Sequence, residues 1–91
     1  MKYGVRVSNR FKKDMKRIQK RGYDPELMLS VIEKLANGEK LDTKYEDHLL
    51  TGNYGGYREC HITSDWLLVY QYKEQELILL LSRTGTHSDL F

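Results

Sequence analysis

Between Tyr3 and Val7 apolar and polar positions alternate, Tyr3, Val5 and Val7 against Gly4 and Arg6. That period of two predicts a short, half-buried strand. The period then lengthens. Ser8 is a suitable N-cap for a helix over residues 9–21, whose apolar stripe Phe11, Met15 and Ile18 recurs at helical spacing, and Gly22 supplies a C-terminal stop. Asp24-Pro25-Glu26 marks a second start, with an N-cap aspartate, a proline at the first helical position and an acid in the first turn. Its stripe Leu27, Met28, Val31, Ile32 and Leu35 runs to Asn37-Gly38. Two helices joined by so short a turn predict a helical hairpin.

Residues 39–56 carry no periodicity and include Gly52, Gly55 and Gly56, which predicts a long, partly irregular connection. Alternation resumes from Tyr57 to Ile62, a turn is expected at Thr63-Ser64-Asp65, and Trp66 to Lys73 has the aromatic and β-branched content of a strand. After a tight turn at Glu74-Gln75, Glu76 to Arg83 is the most apolar stretch and is expected to be a central strand covered on both faces. The order β-α-α-β-β-β predicts an α+β fold in one domain spanning residues 1–91. In it the hairpin covers one face of an antiparallel meander and leaves the other as a binding surface.

Composition narrows the class. A chain of 91 residues, 40% hydrophobic and 31% charged, has the balance of an ordinary folded protein. Its longest apolar runs, Trp66 to Tyr70 and Leu77 to Leu81, fall far short of the ~20 residues that span a bilayer. The charged opening Met1 to Arg6 gives no sign of a secretory signal, and the lone Cys60, expected to be a small buried hydrophobe, cannot close a disulfide within the chain. A reducing cytoplasm is the expected compartment. The net charge of +2 hides an asymmetry, because the first 21 residues hold nine basic side chains and one acid, Asp14. On the predicted first helix Arg10, Lys12, Lys13, Lys16, Arg17 and Lys20 are placed to dock a polyanion such as RNA, unless they simply solvate that face.

The polar constellation lies in the second half: His48, His61, Asp65, Trp66, Arg83, His87 and Phe91. If the strands ending at His61 and Arg83 both flank the one opening at Trp66, their ends meet at one edge of the sheet. The tail from Gly85 can then bring His87 and Phe91 to the same place. Cleaving RNA through its own 2′-hydroxyl needs a base, an acid and a cation on the phosphate. Two histidines and an arginine supply that set without a metal. Trp66 and Phe91 are candidates to stack on bases, although Trp66 equally suits the core, and Asp65 equally suits a turn cap. The spacing of His48, His61 and His87 matches no compact zinc motif, so no metal or other cofactor is expected.

The strings Gly56-Tyr57-Arg58-Glu59-Cys60-His61-Ile62, Asp65-Trp66-Leu67-Leu68-Val69-Tyr70 and Arg83-Thr84-Gly85-Thr86-His87-Ser88-Asp89-Leu90-Phe91 resemble the YafQ branch of the RelE/ParE toxin superfamily. The resemblance covers essentially the whole chain. It implies a RelE-like fold and the toxin of a type II toxin–antitoxin pair, a ribosome-dependent endoribonuclease that cuts mRNA in the A site. By that resemblance His48, His61, Asp65, Arg83 and His87 are the catalytic residues, with His87 as general acid and His61 or His48 as base. Trp66 and Phe91 match substrate-binding positions. The resemblance further implies contacts between the basic helix and 16S rRNA, and a small acidic antitoxin that neutralises the toxin and represses the operon with it. The alternative is a ParE-like toxin that inhibits DNA gyrase without being a nuclease; the histidine-rich set argues against it.

Overall fold

Both helix starts are made by side-chain caps. Ser8 Oγ accepts the Phe11 amide at 3.0 Å and Asp24 Oδ1 accepts the Glu26 amide at 3.0 Å. Gly22 closes the first helix in the left-handed region at φ 75°, where a side chain would be strained. A computed structural model, which describes residues 1–91, contains β1 (Gly4–Val7), α1 (Asn9–Arg21), α2 (Pro25–Ala36), β2 (His48–Leu49), β3 (Arg58–Thr63), β4 (Trp66–Lys73), β5 (Ile78–Gly85) and α3 (His87–Leu90). The architecture is α+β, as the sequence predicts.

The strands form one sheet in the order β1-β5-β4-β3-β2, with β1 parallel to β5 and every other pairing antiparallel. The structure refines three expectations. The connection over residues 39–56 is partly irregular as expected, and within it His48 and Leu49 pair with Glu59 and Arg58 as a fifth strand. A two-residue strand is too short to leave a period in the sequence. The last strand, β5, is interior as expected, with β4 on one side and the parallel β1 on the other along residues 78–81, and the addition of β2 beyond β3 makes β4 the middle of the five. And the helical hairpin, turned by the three residues between Arg21 and Pro25, lies with α1 along β5 and α2 on β3.

Both helices cover the same face, where fifteen buried residues form the main core, among them Phe11, Ile18, Met28, Val31, Leu35, Cys60, Leu68, Tyr70, Leu79 and Leu81. Each fully buried leucine or isoleucine there contributes about 1.5–3 kcal/mol. Burial also pushes the Cys60 thiol well above its ordinary value, which keeps it an inert hydrophobe. The helices do not reach over the edge strand, so Val5 and Val7 are each 39% exposed instead of packed with Tyr3. The hydrophobic residues buried on the other face are Leu67, Val69 and Leu90, flanked by Leu50, Tyr54 and Tyr57.

Candidate active site

Strand register places the chemistry on that second face. His48 pairs with Glu59, Glu59 with Val69, and Val69 with Arg83; His61 pairs with Leu67, and Leu67 with Gly85. Paired residues share a face, so two neighbouring rows cross the sheet, His48-Glu59-Val69-Arg83 and His61-Leu67-Gly85. Two strand spacings, about 10 Å, separate Glu59 from Arg83 along the first row. From Gly85 the chain turns into α3, which returns His87 over the second row. The His61 and His87 rings stand 6.1 Å apart between centroids, and His87 lies 5.9 Å from Phe91. Phe91 meets Tyr54 edge-on at 5.3 Å, while the residue remains 56% exposed.

The carboxylate beside the histidines is Glu59. It is 3% exposed, and its Oε1 lies 3.6 Å from His48 Nε2 and 3.7 Å from His61 Nε2. His48 Nδ1 sits 2.6 Å from the Glu46 carbonyl oxygen, which can only accept, so Nδ1 carries the proton and Nε2 is left to exchange one. His61 Nδ1 is buried without a hydrogen bond; the nearest acid, Glu46 Oε2, is 3.5 Å away.

Arg83 is held by a different device. Beyond Leu81 no strand covers the outer edge of β5, and Asp14 of α1 takes that place. Its carboxylate accepts the Thr84 amide at 3.1 Å and the Arg83 Nε and Nη2 donors at 2.8 and 3.1 Å. Donation to Asp14 raises the Arg83 value against the opposing effect of burial, with Tyr54 beside the guanidinium. Two of its nitrogens are thus committed to orientation, leaving Nη1 uncommitted to Asp14.

Two predicted site residues lie elsewhere. Trp66 is 2% exposed in the helix-side core, donating through Nε1 to Thr84 Oγ1 at 2.9 Å and meeting Tyr23 edge-on at 5.0 Å. Alternation along β4 puts it on the face opposite Leu67, so it cannot stack on a base at the histidines. Asp65 is exposed in the turn between β3 and β4 and pairs with no histidine. Sequence reasoning missed Glu59 and Asp14. The signals were present: Glu59 alternates in phase with His61, and Asp14, the sole acid of its segment, sits on the buried stripe of Phe11 and Ile18. Although Glu46, His48, Glu59 and His61 neighbour one another, no three His, Cys, Asp or Glu side chains are arranged to hold a metal ion. On α1, Arg17 leans toward Asp14 and Asp89 at 3.8 and 3.7 Å, whereas Arg10, Lys12, Lys13, Lys16 and Lys20 make no ion pair.

Residues 3–91 match the family described as the bacterial toxin of type II toxin–antitoxin system, YafQ. The chain is 36% identical over 88 residues to the mRNA interferase toxin YafQ of Escherichia coli K12, covering 96% of this chain and 94% of that protein. Among solved structures it resembles a metal-bound toxin from Helicobacter pylori, with a TM-score of 0.92, 45% identity and coverage of 98% and 99% of the two chains. The toxin in the E. coli DinJ–YafQ complex aligns with a TM-score of 0.88 at 36% identity, covering 98% of each chain. The fold, the two rows of polar residues and these likenesses together place the chain in the YafQ family of toxins from type II toxin–antitoxin systems.

Proposed function

We propose that this toxin is an endoribonuclease that cleaves mRNA in the A site of the ribosome by acid–base catalysis without a metal. The observation that carries the reading is the pair of histidine rings, His61 and His87, 6.1 Å apart at the end of the sheet where Arg83 is fixed. A phosphodiester between those rings has a base on one side and an acid on the other. The 2′-hydroxyl loses its proton to His61 or His48 as its oxygen attacks phosphorus. The bond from phosphorus to the 5′-oxygen then breaks, and His87 gives that oxygen a proton. Glu59, facing both Nε2 atoms, stabilises whichever imidazolium forms. Arg83, already oriented by Asp14, meets the phosphate with the donors that Asp14 leaves free. Phe91, exposed beside His87, is placed to stack on a splayed base, a contact worth about 1–3 kcal/mol. Asp65 remains an assisting residue only if the bound mRNA draws its turn inward.

The unpaired cations of α1 suit the ribosomal RNA that would present the message. Membership of a type II family implies a partner antitoxin. For this chain we expect a small acidic protein that neutralises the toxin in the cytoplasm and forms with it an operon-repressing complex. A gyrase-directed, non-nucleolytic toxin would have no use for the two histidines and Glu59. Mapping 5′ ends of transcripts after brief expression tests the reading. Cuts inside translated frames that vanish with His87→Ala support it; an unchanged cut pattern, or no cuts with toxicity intact, overturns it. Replacing Lys12, Lys13, Lys16 and Lys20 together by alanine should weaken ribosome association about tenfold and flatten its salt dependence.

A further inference from the structure

His87 is carried by an element too small to hold itself. α3 is a single turn of four residues, far below the ~12 residues at which a helix begins to persist alone. Three contacts fix it. Leu90 is buried against Leu67 and Val69. Thr86 and Asp89 cap each other, the Asp89 carboxylate accepting the Thr86 amide at 2.9 Å and Thr86 Oγ1 accepting the Asp89 amide at 3.2 Å. The third contact leaves the tail altogether: Arg21, in the last turn of α1, donates to both Asp89 oxygens at 2.6 and 3.0 Å. The backbone is shaped to admit that carboxylate. Gly85 has φ 151°, and a Cβ there would stand 2.9 Å from the Asp89 Cβ and 2.9 Å from its Oδ2. Leu90 fixes how deep the turn sits, but an apolar contact has no direction. A bidentate guanidinium–carboxylate pair does.

From this placement we propose that Asp89 and Arg21 are the positioning pair of the site: their ion pair sets the orientation of the C-terminal turn so that His87 faces His61. The inference rests on His87 acting as the acid of the proposed reaction. It divides the basic helix into two jobs. Arg10, Lys12, Lys13, Lys16 and Lys20 are free for a polyanion, while Arg21, assisted by Arg17 at 3.7 Å from Asp89, reaches across the surface and holds the tail. Removing a polyanion contact weakens binding; removing the positioning pair slows the chemical step and leaves binding alone.

Single-turnover cleavage of mRNA on programmed ribosomes, measured against toxin concentration, separates the two. Arg21 lies at an exposed helix end, so Arg21→Gln keeps the fold, and Asp89→Asn keeps the capping acceptor. Each should lower the maximal rate about 10- to 100-fold, the loss expected for a catalytic group displaced by about 1 Å, with the half-saturating concentration within about twofold of wild type. The double variant should be no slower than the slower single one, because the two act as one unit. Arg21→Lys should restore part of the rate. In the free protein, the nuclear Overhauser contact between the His61 and His87 rings should weaken in Arg21→Gln. A raised half-saturating concentration at unchanged maximal rate would make Arg21 an RNA contact and overturn the inference. So would a wild-type rate in Arg21→Gln while His87→Ala is inactive. If His87→Ala cleaves normally, it is the reaction itself that has been misread.

Discussion

The two faces of the sheet are built on opposite terms. On the helix side the buried side-chain polar atoms are answered: Trp66 Nε1 donates to Thr84 Oγ1, Thr84 Oγ1 donates to the Leu67 carbonyl at 2.7 Å, and the Tyr72 hydroxyl donates to the Leu35 carbonyl at 2.8 Å. On the other side His61 Nδ1 is buried with no partner, and Glu59 approaches two imidazoles without a close hydrogen bond to either. An interior that leaves polar groups unanswered is less stable than one that does not. The lesson is that stability has been concentrated behind the sheet, so that the thinner layer in front can keep titratable groups close together and available.

Substitutions at neighbouring positions of β4 are the strongest way to break that contrast. Leu68 and Leu67 are both fully buried, but they point to opposite faces. Leu68→Ala should destabilise the protein by about 2–5 kcal/mol in chemical denaturation, with activity following the folded fraction. Leu67→Ala lies under His61 and Leu90, and should fall at the low end of that range while lowering the cleavage rate of the folded protein. Equal loss of rate per folded molecule would erase the distinction. Trp66→Phe comes next. Removing the indole donor from Thr84 should cost about 1–2 kcal/mol, and the folded variant should cleave at the wild-type rate. A normal melting curve with lost cleavage would return Trp66 to the substrate.

The smallest effect is in acid. The Arg21 guanidinium holds the Asp89 carboxyl well below the usual carboxylate range, aided by the Thr86 amide and opposed by partial burial. Because the folded value lies below the unfolded one, this contribution is complete above about pH 4 and fades as pH falls toward the folded value. The unfolding free energy should therefore begin to lose this contribution below about pH 4, while the contact between the His61 and His87 rings persists in the molecules that remain folded, and Asp89→Asn should remove that part of the pH dependence of stability.

Much of this was legible in the chain. The caps at Ser8 and Asp24, the stripe of Phe11 and Ile18 and the three-strand meander follow from local periods, and those periods survive into the structure. The approach of His87 to His61, on the face that also carries Arg83, followed from connecting strands in order. What escaped had tertiary causes. The β2 pairing of His48 depends on where β3 lies, not on any pattern of its own. Asp65 and Glu59 both flank His61 in sequence, and only the pleat decides that Glu59 shares its face. Trp66 was ambiguous because a strand-opening aromatic suits either side of a sheet. Asp14 looked like a stray acid on a basic helix until β5 was seen to outrun β1.

The central claim is that the front face holds an acid and a base across a phosphate. Single-turnover cleavage by wild type and His87→Ala on the same programmed ribosomes tests it most directly. The rate should fall by about 10²- to 10⁴-fold, the contribution of a positioned general acid, with the unfolding midpoint and ribosome affinity unchanged. A rate within a few-fold of wild type in the folded, ribosome-bound variant would contradict it.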